Sequence, residues 1–284
     1  MSLFVRKSLD QVLAQAADNE KGLKRTLGAG NLIALGIGAI IGAGLFVRTA
    51  AAAGQAAGPA VTISFIIAAI GCAFAGLCYA EFASMIPIAG SAYAYSYVTM
   101  GELIAWIIGW ALIMEYALGA ATVSIAWSEY LNKLLGGGIP YEWSHSPFES
   151  FIDSAGVQHQ GIINAPALII LLLLTMLLIK DTQESAMVNA IIVVIKVAIV
   201  ILFIVIGWQF INPANHTPYI IPEGTEPVTK GGEVIAEYTG VFRHGWGGVL
   251  GGAAIVFFAF IGFDAVSTAA QEAKNPKRDM PIGI

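Results

Sequence analysis

Ala34-Leu-Gly-Ile-Gly-Ala-Ile-Ile-Gly-Ala-Gly-Leu-Phe-Val47 and Ala253-Ala-Ile-Val-Phe-Phe-Ala-Phe-Ile-Gly-Phe-Asp-Ala-Val266 decide the reading of this chain, because each is a long apolar stretch broken in its middle by glycine. Lipid offers no partner to free N–H and C=O groups. Unwound backbone therefore survives at membrane depth only where protein, water or a solute satisfies it. Two such segments in corresponding places of structural repeats point to a solute site near the bilayer midplane.

The 284 residues are 57% hydrophobic and 12% charged, against about 25% charged in soluble domains. Apolar stretches long enough to cross a bilayer, about 20 residues each, lie at 28–50, 60–84, 103–130, 163–179, 187–211 and 249–269. The expectation is an all-α integral membrane protein with six spans and the start of a seventh. A polar stretch at 18–25 precedes the first span, and no small-residue cleavage pattern follows it, so a removable signal peptide is not expected.

Net charge is −5, but the placement of Lys and Arg says more than the total. With the amino terminus inside, Arg6, Lys7, Lys21, Lys24, Arg25, Lys180, Lys274, Lys277 and Arg278 face the cytoplasm, while Arg48, Lys133, Lys230 and Arg243 face out. This asymmetry predicts a cytoplasmic amino-terminal segment over 1–26, followed by a transmembrane domain over 27–284 in the cell membrane. Two long loops, 134–162 and 212–247, then lie outside and hold His145, His159, His216 and His244. Solvated loop histidines are the simple reading, and their scatter argues against a metal site. Cys72 and Cys78 fall within the second span as small apolar groups. No metal, cofactor or nucleic-acid partner is expected. Ile284 follows directly on a basic connector at 275–283, so the chain is expected to be part of a longer protein, to which any activity belongs.

The glycines of 36–44 are not a dinucleotide fingerprint, because their spacing is wrong and a membrane span surrounds them. Gly38 and Gly42 form a small-xxx-small pair that would suit a close helix crossing. Gly44, and the matching break at Gly262, favour an unwound ligand site instead. Where the helix restarts after Gly42, the N–H groups of Ala43, Gly44 and Leu45 are expected as free donors at a positive dipole end, fit to hold a carboxylate. Where the first half stops, the carbonyls of Ala39, Ile40 and Ile41 are expected as acceptors for an ammonium group. The second break adds carbonyls from Phe258 to Ile261. Free α-amino acids carry both charges at that separation.

Lys196 stands in an apolar span, with Asn189 on its face seven residues earlier. A lysine there is costly, and intramembrane ionisable groups mark sites and proton relays, although its stem could also reach the membrane edge. Glu115, with Gly119 and Thr122 on its face, needs a partner or a proton if buried. Asp264 is placed to cap the restarted half-helix through its carboxylate. The segment 87–97 between the second and third spans reads as a short helix, packed under the bundle or gating its inner side.

Gly36-Ile-Gly-Ala-Ile-Ile-Gly-Ala-Gly-Leu-Phe-Val47, Cys78-Tyr-Ala-Glu-Phe-Ala83, Pro87-Ile-Ala-Gly-Ser-Ala-Tyr93, Gly101-Glu-Leu-Ile-Ala-Trp-Ile-Ile-Gly-Trp110 and Phe260-Ile-Gly-Phe-Asp-Ala-Val-Ser-Thr-Ala-Ala270 resemble the cationic amino acid transporter family of the amino acid/polyamine/organocation superfamily. That resemblance implies a LeuT-type fold of two inverted five-helix repeats, here the first repeat plus the sixth helix, with alternating access. By the same likeness Ile40, Ile41, Ala43 and Gly44 would bind the substrate's charged main chain, and Phe258 and Ile261 would line its side-chain pocket. Gly42 and Gly262 would be the helix breaks. Lys196 matches a lysine that replaces sodium in proton-driven relatives, and Glu115 matches an acidic position that could meet that lysine or a basic substrate. Relatives often carry Ser or Thr where this chain has Ala43, which removes a hydroxyl.

The expected function is secondary active transport of a cationic or small neutral L-amino acid by proton symport, with the amino acid, the proton and the lipid bilayer as partners. An amino acid or polyamine exchanger and a non-transporting sensor are the alternatives. No Ser/His, paired-Asp or His-rich constellation falls at membrane depth, so an intramembrane enzyme is not expected.

Overall fold

The computed structural model describes residues 5–9, 11, 14, 25–42, 44–152, 156–180, 182–230 and 233–284. Ala43 and much of the segment expected over 1–26 lie outside the described residues. The chain divides into two units, Met1–Gly109 with Ala186–Ile284, and Trp110–Ser185.

In the first unit α1 (Ala29–Ile40) stops at the first break. The helix resumes as a π-helical turn at Gly44–Arg48, an α turn at Thr49–Ala52, a second π turn at Ala53–Ala57 and a 3-10 turn at Gly58–Ala60. The span expected to end at residue 50 thus runs on to Ala60, because the break interrupts it early. Gly58, at φ +56°, takes a conformation open to glycine and turns the chain into α2 (Val61–Met85). Pro87 follows closely on the end of α2, where the residue before a proline resists helix.

α3 (Ser91–Thr99) is the short helix expected after the second span. Its Ser91, Ala94, Tyr95 and Ser96 are buried, so it packs into the core. Leu32, Ala83, Tyr95, Val266, Ala270 and Met280 belong to one buried cluster. Burial pushes the Tyr95 phenol up to about 12. A second cluster joins Ala52, Ala68 and Val256.

α4 (Glu102–Leu134) carries the chain into the second unit. Its end closes with Gly137 N–H donating to Asn132 O at 2.8 Å and Gly136 N–H to Lys133 O at 3.1 Å, both glycines at positive φ. Those are the two bonds of a Schellman cap. A small antiparallel hairpin of β1 (Ser150–Ile152) and β2 (Gln158–Gln160) pairs Phe151 with His159 in the following loop. At three residues per strand it is too short for periodicity to reveal. Glu142, bonded to its own backbone and to the His159 ring 3.3 Å away, has its carboxyl held below the usual range. α5 (Ala165–Lys180) starts at Asn164, whose Oδ1 accepts from Ala167 N–H at 3.1 Å and from the Ser128 hydroxyl at 2.7 Å.

α6 (Thr182–Gly207) returns the chain to the first unit. A hairpin of β3 (Val228–Lys230) and β4 (Glu233–Ala236) precedes α7 (Gly245–Phe257). Ser64 Oγ on α2 donates to the Val249 carbonyl on α7 at 2.8 Å, and a Cβ on Gly252 would stand 2.6 Å from that hydroxyl. Gly248 and Gly252 are therefore a small-xxx-small crossing, a pair the sequence reading did not single out.

The basic connector at 275–283 is itself helical. α8 (Pro276–Gly283) buries Asp279 and Met280, and the Asn275 N–H donates to Asp279 Oδ2 at 3.1 Å. Lys277 and Arg278 stay exposed. Its glycine end lies against α1, where a Cβ on Gly283 would meet Leu32 Cβ at 2.7 Å.

Among the described residues, four helical runs are long and apolar enough to cross a membrane: Ala29–Met85, Glu102–Leu134, Met187–Phe210 and Gly245–Thr268, while Ala165–Ile179 is a shorter apolar helix. The first of these runs holds two of the six expected spans. Leu172, Met176, Ile195, Phe203 and Val205 stand exposed among many like them on α5 and α6. Apolar surface on that scale suits lipid or further protein.

Candidate functional site

α1 makes its last helical bond from Ile41 N–H to Ile37 O at 2.9 Å, and Ile41 is extended at φ −74°, ψ 92°. Gly38 O is the next carbonyl in line, and it accepts instead from Lys196 Nζ at 3.0 Å. The lysine thus turns inward onto an acceptor beside the break instead of reaching to the membrane edge. The carbonyls of Ile40 and Ile41 take no backbone partner among the described residues.

Past the break, the Leu45 and Phe46 N–H groups both donate to Gly42 O, at 3.1 and 3.2 Å. Leu45 is therefore not the free donor expected from the sequence. The chain folds the Gly42 carbonyl back under the restarting π turn. Gly44 N–H, by contrast, takes no backbone partner among the described residues. Among the described residues, Ile40 O and Ile41 O on one side and Gly44 N–H on the other are backbone groups at this break without a backbone partner.

The second break follows α7. A 3-10 turn at Phe258–Phe260 runs into Ile261, at φ −58°, ψ 133°, and then Gly262 at φ +110°, with the helix resuming over Ala265–Thr268. Asp264 precedes that turn, is 4% exposed, and makes no side-chain capping bond. Its carbonyl instead accepts from the Ser267 N–H at 2.8 Å and the Ser267 hydroxyl at 2.6 Å. The capping expected of its carboxylate is not observed, because Asp264 is itself in a helical conformation and not the extended one an N-cap side chain needs.

The two breaks cross each other. A Cβ on Gly44 would collide with the Ala259 backbone, standing 2.7 Å from its nitrogen, and one on Gly262 would stand 3.0 Å from Ala39 Cβ. Gly36 meets Val266 in the same way at 3.0 Å. Beyond them Leu27 pairs with Ala273 as a parallel bridge, with Leu27 N–H to Glu272 O at 2.9 Å and Lys274 N–H to Leu27 O at 2.8 Å. That clamp holds the start of one broken helix to the end of the other.

The face of α6 that meets α1 is Asn189, Val193 and Lys196, one turn apart each. A Cβ on Gly38 would stand 2.8 Å from Asn189 Oδ1 and 2.9 Å from Val193 Cγ2, whereas Gly42 has open space around it. Gly38 is thus a crossing glycine, and Gly42 stands where the helix is interrupted. Ile40, Ile41, Gly42, Gly44, Phe258, Ile261, Gly262 and Lys196 all lie in the first unit, and Glu115 lies half-buried on α4 in the second. Ala43 is outside the described residues. Arg48, read from sequence as an outward-facing charge, stands inside the restarted helix with its guanidinium 5.7 Å from the Phe258 ring centroid. Its position four residues after Gly44 was the available signal. A cavity of about 200 Å³ between Lys7, Tyr93, Tyr97 and Gln271 is built by α3 and does not include the break residues.

The chain is 45% identical over 285 residues to a branched-chain amino acid permease of Bacillus subtilis (strain 168) and 42% identical over 286 residues to a methylthioribose transporter of the same organism, each match covering 100% of this chain and 55% of the relative. It is 35% identical over 286 residues to the vacuolar cationic amino acid transporter 4 of Arabidopsis thaliana, covering 100% of this chain and 44% of the relative. The chain therefore spans about half the length of these relatives. The model of the amino acid permease family matches residues 27–284, nearly the whole of the described helical part. With that match, and with the glycine-broken helices it covers, the chain belongs to the amino acid permease family.

Proposed function

We propose that this chain is part of a proton-coupled amino acid permease with a LeuT-type inverted-repeat fold, its amino terminus in the cytoplasm and its helices in the cell membrane. The substrate carboxylate docks at Gly44 N–H and Ala43, where a restarted helix presents a positive end. Its ammonium group docks at the carbonyls of Ile40 and Ile41, and its side chain lies between Phe258 and Ile261. The observation that carries the proposal is the 3.0 Å bond from Lys196 Nζ to Gly38 O at the first break. Gain or loss of a proton on Lys196 changes the strength of that bond, since hydrogen bonds to charged groups contribute about 1.5–3 kcal/mol against about 1 for neutral ones. Protonation is thereby linked to the geometry of the break. Relatives named for branched-chain and for cationic amino acids support the substrate class.

The test is uptake of labelled leucine and arginine by proteoliposomes holding the full-length protein, with and without an inward proton gradient. Uptake of at least one of them should rise several-fold with the gradient. Uptake only into preloaded vesicles would make the protein an exchanger. Binding without uptake would make it a sensor, and transport of methylthioribose alone would remove the amino acid from the account.

A further inference from the structure

Arg48 brings a fixed positive charge to the crossing of the two breaks. It stands four residues beyond Gly44 on the restarted helix, one turn above the point where Gly44 touches Ala259. Its guanidinium covers the Phe258 ring, 5.7 Å from the centroid. Arginine stays protonated in proteins, and among the described residues no carboxylate forms an ion pair with it.

Two effects follow for a substrate side chain entering beside Phe258. An aromatic face is the surface by which an apolar pocket attracts a cation, and here the protein's own cation already occupies that face. A second positive charge brought alongside would also meet direct repulsion, although Arg48 itself is exposed and solvent screens part of it. An acidic side chain would find the guanidinium, but it would have to give up water against Phe258 and Ile261, both apolar.

We infer that Arg48 is a specificity-determining residue that turns cationic side chains away from the Phe258 side of the substrate site and leaves it to amino acids with neutral apolar side chains. The inference rests on reading the crossing as the substrate site. It is tested with the full-length protein in proteoliposomes, comparing labelled leucine, arginine and glutamate under one proton gradient. Leucine should be preferred to arginine by about tenfold or more, equivalent to about 1.4 kcal/mol. Arg48→Gln should raise the arginine-to-leucine ratio about tenfold, while Arg48→Lys keeps it low. Gel filtration in detergent reports whether each variant folds, and the wild-type ratio stands as a test whichever variant fails.

Equal uptake of arginine and leucine by the wild type, a preference for glutamate, or an unchanged ratio in folded Arg48→Gln overturns the inference and leaves the permease reading intact. Uptake of none of the three overturns the permease reading, and the role of Arg48 with it.

Discussion

Replacing Lys196 with Met in the full-length protein is expected to flatten the pH dependence of uptake and to cut gradient-driven uptake about tenfold or more. The size follows from the bond that is lost: a charged donor to Gly38 O, 3.0 Å away, carries about 1.5–3 kcal/mol, which is about ten- to hundredfold in an equilibrium. Methionine keeps the length and apolar character of the stem, so its packing is largely kept. Removing an ionisable group from a helix at membrane depth does not threaten insertion. The measurement is the initial rate of labelled leucine uptake across the neutral pH range, with protein amount normalised by immunoblot. Uptake in Lys196→Met that keeps the wild-type pH profile would remove the lysine from the coupling mechanism.

Gly44→Val is the second large effect. The first methyl-sized atom added at Gly44 meets backbone, standing 2.7 Å from Ala259 N and 2.9 Å from Ala259 Cβ, and backbone cannot rotate out of the way. Overpacking of this kind costs about 1–3 kcal/mol, and here it also pushes apart the two breaks at which we propose the substrate binds. The expected outcome is a melting temperature lowered by several degrees and a loss of substrate binding of about tenfold or more. Gly42→Ala is the steric contrast, because among the described residues nothing lies within 4 Å of a Cβ there. Its melting temperature should stay within about a degree of wild type. Equal melting temperatures for Gly44→Val and wild type would show that the crossing is not as close as described.

Much of the site was legible because it breaks a rule. Glycine in the middle of an apolar run, twice, has few uses at membrane depth, and both runs do break, at Ile41–Gly42 and at Ile261–Gly262. Lys196 and Asn189 could be placed on one face from their spacing alone, and both meet α1 at Gly38. What the sequence did not disclose was the kind of turn that follows a break. Leu45 N–H is a free donor if an α-helix restarts, but a π turn folds it onto Gly42 O. No local composition separates the two. Asp264 has the residue type of a cap but a helical backbone, and backbone conformation at a single position is set by the crossing with α1. The length of the helix around Arg48 was not legible, because a charge near the end of an apolar run looks like the end of a span, while the restarted helix continues to Ala60. α8 was read as a connector because its basic residues suggested one. Its packing rests on Asp279 and Met280, which only the fold brings into the core.

The most direct test of the central claim, that the crossed breaks hold a zwitterion, is competition for labelled leucine binding to the purified full-length protein by leucine, leucinol and 4-methylpentanoate. Leucinol lacks the carboxylate that Gly44 N–H would hold, and 4-methylpentanoate lacks the ammonium group that the Ile40 and Ile41 carbonyls would hold. Each missing charged bond should weaken binding by about ten- to hundredfold. The account predicts that leucine alone competes strongly. Competition by either one-ended analogue as strong as that by leucine would contradict it.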